Sequence, residues 1–477
     1  MPFINFIFTP FNRKILLILF LYHILVAFVF HWAYPFTIYT PDTPNYFLAA
    51  DAKDFCGYRP YGYSAFINFC MLLYKSIYVI VFFQSFLYFV AIALFIFTIE
   101  YISPFKNKKL FYLFTILLSL SGQVFLLNNS LLSDSIFISL SLIWISSLLH
   151  LFNSKKNNYY LIALNLIICF SLAKIRYAGL IYPVIGLLAG LFIYRKQLLN
   201  LFVYVIGFLL IVLIVYQQGV SQNKTKYGID VFSAFGGWAK LNNASVVIPE
   251  AKDDIREKEM YLLNALFKRY PDSIYSTKNV LTSQLMWGKL YPEKKYLAFI
   301  YSKNKVHGYV PSYVYCGKLY GEYANYLIKT HITSFITKFY LPNLFGAISP
   351  QDESSGNVHI KVDENIRKVC DTDFDFFAPR CDIYGAFISV FDKIKYATLA
   401  ILFIFSLTYY VAKKYFKLVT SNRNILFLFI SFFIILNSLF LAYVHPVLLR
   451  YVIINEFLFI AVIFVFLDEC YKLKANK

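Results

Sequence analysis

Ile77-Tyr-Val-Ile-Val-Phe-Phe-Gln-Ser-Phe-Leu-Tyr-Phe-Val-Ala-Ile-Ala-Leu-Phe-Ile-Phe-Thr-Ile99 runs for 23 residues without a charge. A helix rises about 1.5 Å per residue, so about 20 apolar residues cross the hydrocarbon of a bilayer. Lipid satisfies no backbone N–H or C=O, and only helices and closed barrels solve that problem. The stretch does not alternate strictly, which reads as helix rather than barrel strand.

Comparable blocks recur on either side. Spans are expected over 14–32, 77–99, 110–127, 133–152, 159–173, 178–194, 200–216, 391–412, 424–442 and 452–467. The fold class is therefore an all-α polytopic membrane protein with about ten transmembrane helices. Hydrophobic residues make up 59% of the 477 and charged residues 15%, against about 45–50% and about 25% in soluble domains. The first block is long, and bulky His31-Trp32-Ala33-Tyr34 follows it rather than a small-residue cleavage site, so it reads as a retained span.

The formal charge of +19 would suggest nucleic acid on a soluble chain. Here the cations punctuate apolar blocks, and the positive-inside rule accounts for most of them. Arg13 and Lys14 precede the first span. Lys106, Lys108 and Lys109, then Lys155 and Lys156, then Arg195 and Lys196, then Lys413, Lys414, Lys417 and Arg423, then Lys472, Lys474 and Lys477 occupy every second connection. This places both termini in the cytoplasm. The Phe, Tyr, Ile, Lys and Asn bias suggests an AT-rich genome and a bacterial inner membrane.

Two large segments then fall outside. One is 33–76. The other, 217–390, is a mixed extracytoplasmic domain between the seventh and eighth helices. The expected units are 1–216 with its outer loop, 217–390, and 391–477. Within the domain, Asp253–Tyr270 has helical apolar spacing, and Tyr320–Tyr340 has the pattern of a membrane-surface helix. Cys370 and Cys381 are the first choice for a disulfide, with Cys56–Cys316 as a second tie. Cys70, Cys169 and Cys470 read as apolar filler. No Cys/His spacing suggests zinc.

Charged residues at membrane depth are costly and therefore informative. Five groups fall on the outer side. Tyr39-Thr-Pro-Asp-Thr-Pro-Asn-Tyr46 holds Asp42 between two prolines, either a fixed carboxylate or an ordinary turn. Tyr58-Arg-Pro-Tyr-Gly-Tyr63 sets Arg59 among rings that include Tyr61, as a ligand group or a snorkelling cation. Leu131-Leu-Ser-Asp-Ser135 places Asp134 at a helix start, where it or Ser133 also suits a cap. Ala173-Lys-Ile-Arg-Tyr-Ala-Gly179 puts Lys174 and Arg176 in a short outer turn where topology gives them no role; paired cations suit phosphate oxygens. Tyr443-Val-His-Pro-Val-Leu-Leu-Arg-Tyr451 carries His445 and Arg450, with Glu456 beyond.

An Asp soon after the first span, an Arg-Pro-aromatic-Gly-Tyr segment, a Leu-Leu-Ser-Asp-Ser turn and a Lys-x-Arg-Tyr-x-Gly turn, in that order on one face, resemble the GT-C superfamily. These are multi-span glycosyltransferases that use polyprenyl-phosphate sugars, among them protein O-mannosyltransferases and lipid A aminoarabinose transferases. The resemblance covers 1–216 and, more thinly, 391–467. It implies inverting hexosyl or pentosyl transfer at the outer face, from a polyprenyl-monophosphate donor to a hydroxyl of a lipid, glycan or protein. It implies Asp42 as base and Asp134 as its orienting partner. Lys174, Arg176 and Arg450 would hold the donor phosphate. Arg59, Tyr46, Tyr61, Tyr177 and His445 would contact substrate. The first loop has one Asp where the family has an acidic pair, so no cofactor is firmly implied and a divalent metal is unsupported. Two other readings stand beside it: a lipid-linked glycan polymerase or ligase, and a lipid-linked oligosaccharide transporter. The transporter would carry its charges inside the bundle, on broken helices.

Overall fold

The computed structural model describes the chain except for residues 34–36, 41, 56–58, 155–157, 253–256, 304–307, 352–363, 371–382, 416–420 and 476–477. The described residues are helical, with no strand; two isolated bridges join Ile38 to Ser130 and Gln351 to Leu448. Cys56 and Cys381 lie outside the described residues, and with them the expected Cys370–Cys381 disulfide.

Seven helices are long and apolar enough to cross a membrane. They are α1 (Pro10–Ala33), α4 (Ile77–Ile102), α7 (Ser133–Asn153), α10 (Leu198–Tyr227), α13 (Ile383–Ala412), α14 (Ser421–Val444) and α15 (Leu449–Ala475). Between them, α2 (Thr43–Asp51) and α3 (Gly62–Leu73) follow α1, while α8 (Tyr159–Ile175) and α9 (Ile181–Ile193) link α7 to α10. The expected span 110–127 is broken: α5 (Lys108–Ser119) and α6 (Gly122–Asn128) meet at 42°. Ser119-Leu-Ser-Gly122 supplies weak helix formers at the joint. The expected spans 159–173 and 178–194 are shorter apolar helices.

Burial follows pattern. α15 is buried on all sides from Val452 to Phe466, and apolar there apart from Asn455 and Glu456, so it is the central helix. α10 exposes Leu199, Phe202, Leu209 and Leu213, a face that only lipid would cover. Buried polar groups link helices: the Asn165 side-chain amide donates to Ser147 Oγ at 2.7 Å and accepts from Tyr204 Oη at 2.8 Å.

Residues 229–339 build a separate helical core. Its centre is the crossing of α11 (Ala234–Ala244) and α12 (Tyr309–Thr330). Trp238 stacks on Tyr313 at 4.7 Å and donates Nε1–H to the Tyr313 carbonyl at 3.1 Å. The helices touch through glycine: a Cβ on Gly237 would lie 1.7 Å from the Gly317 carbonyl oxygen. The expected Asp253–Tyr270 helix is present as Lys258–Phe267. The expected surface helix Tyr320–Tyr340 is not one element. It breaks at His331, and its first half belongs to α12, with Tyr320, Tyr323 and Leu327 fully buried. Cys316 is a free, buried thiol in this core, so it does not tie the two large segments together.

Candidate functional site

Four of the five charged segments meet at one end of the bundle because backbone contacts strap them together. Ile38 N–H donates to Asn129 O at 2.9 Å and Leu131 N–H to Ile38 O at 3.0 Å. The Thr43 hydroxyl donates to Leu131 O at 3.2 Å. These bonds fix the start of α2 beside the start of α7, and Tyr46 Oη reaches Ser133 Oγ at 2.9 Å. Gly62 opens α3 against the end of α8: a Cβ there would lie 2.4 Å from the Lys174 carbonyl oxygen. Only glycine allows that approach, and it brings Arg59 toward Arg176. The fifth segment, the turn between α14 and α15, is braced by Asn343. Its amide donates to Ala442 O and His445 O, both at 2.8 Å, and accepts Val447 N–H at 2.9 Å.

A cavity of about 890 Å³ opens where these segments converge, within the size range of ligand sites. Arg59, Asp134, Arg176, His445, Arg450 and Tyr451 line its charged part. Phe137, Leu180, Phe440, Leu441, Ile453 and Ile454 form an apolar wall among the membrane helices. Phe235, Gly236, Gly237, Lys240, Gly317 and Gly321 of the helical domain close the other side. The lining thus draws on both cores.

Asp134 sits in the first turn of α7, almost fully buried, in an ion pair with Arg176. Arg450 and Arg59 also act electrostatically on its carboxylate. A carboxylate at a helix N-terminus gains from the dipole as well. The Arg176 guanidinium lies over the rings of Tyr451 at 5.1 Å and Phe137 at 5.8 Å. Arg450 lies over Tyr451 at 4.8 Å and donates to its hydroxyl at 2.8 Å. Such planar cations over rings are less hydrated than ammonium groups and suit phosphate oxygens.

Arg59 is held between the faces of Tyr46 and Phe235, at 5.6 and 5.5 Å. Its guanidinium pairs with Asp42 at 2.5 Å. Asp42 itself does not line the cavity, whereas Arg59, its ion-pair partner, does. Tyr177 lines the cavity and packs on Phe232 at 4.6 Å. His445 is buried, stacked near Phe235 and edge-on to Tyr451 at 5.1 Å. Its Nδ1–H donates to the Pro446 carbonyl at 2.8 Å. Burial pushes the ring down to about 4, and the three arginines act in the same sense, so it is neutral at neutral pH.

Besides Asp42, two expected site residues do not line the cavity. Lys174 leaves the cavity and donates to Gln218 Oε1 of α10 at 2.7 Å. It lies two residues before Arg176, which caps the end of α8, and positions two apart do not share a face. Tyr61 accepts from Asn68 Nδ2 at 3.0 Å and does not line the cavity. Glu456 joins Lys395 in the bundle, not the site cations. Sequence reasoning missed Phe235 and Lys240, which nothing local marks as site residues. It also missed Tyr451, which its neighbour Arg450 should have flagged. Among the described residues, no group of three or more His, Cys, Asp or Glu is placed to hold a metal ion.

Fold and site together describe an all-α, multi-pass membrane protein with a charged cavity at one end of its bundle. No protein-family model matches the chain, and neither a curated protein nor a solved structure matches it.

Proposed function

We propose that the protein is an inverting glycosyltransferase of GT-C type, moving a sugar from a polyprenyl-monophosphate donor to a hydroxyl of a lipid, glycan or protein. The observation that carries this reading is the convergence of Arg59, Arg176 and Arg450 with Asp134 on one large cavity with an apolar wall. The arginines offer planar, charge-assisted donors for a phosphate, and the wall offers a surface for the first isoprene units. Counting the bent pair and two of the three shorter apolar helices, Tyr159–Ile175 and Tyr177–Ile193, with the seven long ones makes ten spans. With both termini cytoplasmic, the cavity then faces the outer side of a bacterial inner membrane.

In this reading the acceptor oxygen attacks the anomeric carbon as the bond to the phosphate oxygen breaks. The electron pair leaves with polyprenyl phosphate, where Arg176 and Arg450 stabilise the growing charge. The acceptor proton passes to a carboxylate. Asp42 takes that role once the donor phosphate draws Arg59 away from it, and Asp134 holds Arg176 in place. Lys174 has no part in the phosphate site.

A second reading, a transporter of lipid-linked glycans, is favoured by a different observation. The broken α5–α6 span carries buried charges from α13 and α15 at its joint, as ion-coupled transporters do. One experiment separates them. The purified protein in lipid is given a radiolabelled panel of polyprenyl-phosphate sugars, and free polyprenyl phosphate is followed. Release from one member, lost in Asp42→Asn and weakened in Arg176→Ala, supports transfer. Binding and translocation in proteoliposomes with no release supports transport.

A further inference from the structure

The arginines and the apolar wall account for one part of the 890 Å³ cavity. Its domain side has a chemistry of its own. On α12, Gly317, Gly321 and Asn325 fall four residues apart, with Lys318 and Glu322 beside them, so one helix face borders the opening. Lys240 of α11 borders it too, and its ammonium donates to the Asn325 amide oxygen. That amide has its NH2 group to offer, and the exposed Glu322 carboxylate accepts.

An aromatic surface borders the same opening. Tyr216 of α10 stacks on Phe232 at 5.3 Å, and Phe232 packs on Tyr177 at 4.6 Å. All three rings line the cavity. A pyranose has a face of axial C–H bonds and a rim of hydroxyls. The face packs on aromatic rings, and every hydroxyl both donates and accepts. Rings beside donors on Lys240, Lys318 and Asn325 and an acceptor on Glu322 meet both needs. Glycine leaves the room: a Cβ on Gly236 would meet only Ser233, at 3.3 Å.

Other acceptor classes fit this lining less well. A peptide adds a strand to a sheet edge or lays a helix in an apolar groove, and the described residues have no sheet. A lipid acceptor needs a second apolar slot, whereas this helix face is polar. Lys240 and Lys318 are matched in number by Asp230 and Glu322 on this side of the lining, which suits a neutral ring better than an anionic one.

We propose that the domain side of the cavity is a binding subsite for a neutral saccharide, which makes a glycan the acceptor. As an acceptor site it rests on the transfer reading; as a saccharide site it does not. In the transfer step a hydroxyl oxygen of that saccharide bonds to the donor's anomeric carbon. Its proton goes to Asp42, and polyprenyl phosphate leaves with the electron pair.

The test begins without donor. The full chain in fluorescent nanodiscs is applied to an array of neutral oligosaccharides, with empty nanodiscs as control, and the best binder is titrated. Binding should weaken about tenfold in Glu322→Gln and in Asn325→Ala, each of which removes one hydrogen bond from the rim. Gly236→Leu should abolish it by filling the space of the ring, while melting like the parent. No saccharide bound, or one bound as tightly by the three variants as by the parent, overturns the proposal. Radiolabelled polyprenyl-phosphate sugars are then added together with the bound saccharide, a Ser/Thr peptide and diacylglycerol. Label on the saccharide supports both readings. Label on the peptide or the lipid instead overturns the subsite and keeps the transfer reading. Saccharide binding with no label moved keeps the subsite and overturns transfer.

Discussion

Replacing Arg176 by Ala separates what this side chain does for the fold from what it does for a ligand. Its guanidinium neutralises Asp134, whose side chain is 5% exposed. Removing one partner of a buried pair typically costs about 3–5 kcal/mol, because the other charge is stranded. Here Arg450 and Arg59 still act on Asp134, so the low end, about 3 kcal/mol, is the expected loss. The ligand effect is distinct. A hydrogen bond to a charged group contributes about 1.5–3 kcal/mol, and about 1.4 kcal/mol is a factor of ten. Affinity for a polyprenyl-phosphate sugar should therefore fall by about tenfold to about a hundredfold. The double variant Arg176→Ala/Asp134→Asn removes the stranded charge. It should recover most of the thermal stability lost by Arg176→Ala while leaving binding as weak. Thermal melts and titrations with the polyprenyl-phosphate sugar, in nanodiscs, read the two quantities, and neutral polyprenol serves as control. If Arg176→Ala binds the phosphate-bearing lipid as tightly as the parent does, the cavity is not a phosphate site and the reasoning fails.

Three further outcomes are expected. Asn343→Ala removes three hydrogen bonds from the turn that carries His445; it should lower the melting temperature, costing about 1–3 kcal/mol, and reduce turnover more than substrate affinity, so an unchanged melt and turnover would count against the brace. Gly237→Ala must push α11 from α12, since its Cβ would meet the Gly317 carbonyl; circular dichroism should show a destabilised domain, whereas Gly236→Ala, which meets only Ser233 at 3.3 Å, should melt like the parent. Glu293 is fully buried at the start of the helix Pro292–Ser302, and burial pushes its carboxyl up to about 8. The folded state then binds more protons than the unfolded state between about pH 4.5 and about pH 8, so domain stability should fall as pH rises through that window and level off above it, by up to ~1 kcal/mol per pH unit. Glu293→Gln should abolish the slope, and a slope that survives in that variant places its origin elsewhere.

What could be read in the sequence follows from where the free energy is large. A long apolar run has one environment that suits it, so Ile77–Ile102 and Ser133–Asn153 were legible nearly to their ends, while Leu449–Ala475 was legible only over 452–467. Even Gly228, at φ 72°, marks the stop of α10, although the apolar pattern alone ends that span near Tyr216. The break after Ser119 was not legible as a break, because the apolar runs on either side of Ser119-Leu-Ser-Gly122 add up to one block of spanning length. What holds the bend is Asp392 and Lys395, far away in sequence. The domain helix Tyr309–Thr330 was misjudged for a similar reason. A tyrosine-rich amphipathic face fits a bilayer surface and a protein core alike, and only the partner helix Ala234–Ala244 decides between them.

The site divides along the same line. Asp134, Arg176 and Arg450 stood out because each is a charge in a place where topology gives it no use, and these three do meet at the cavity. Lys174 stood out by the same argument and does not meet them. The argument from cost identifies a charge that needs a partner, but it does not say which partner. Lys174, with a flexible stem at a helix end, reaches Gln218 in the open, whereas Arg176 is two residues on, past the end of α8, and is turned inward to a buried carboxylate. Phe235 shows the complementary failure. It carries no charge and breaks no rule in the sequence, yet it is the domain's contribution to the grip on Arg59. A charge on a membrane protein is visible one residue at a time; the ring that holds it in place is visible only once two cores, separated by long stretches of chain, have been packed together.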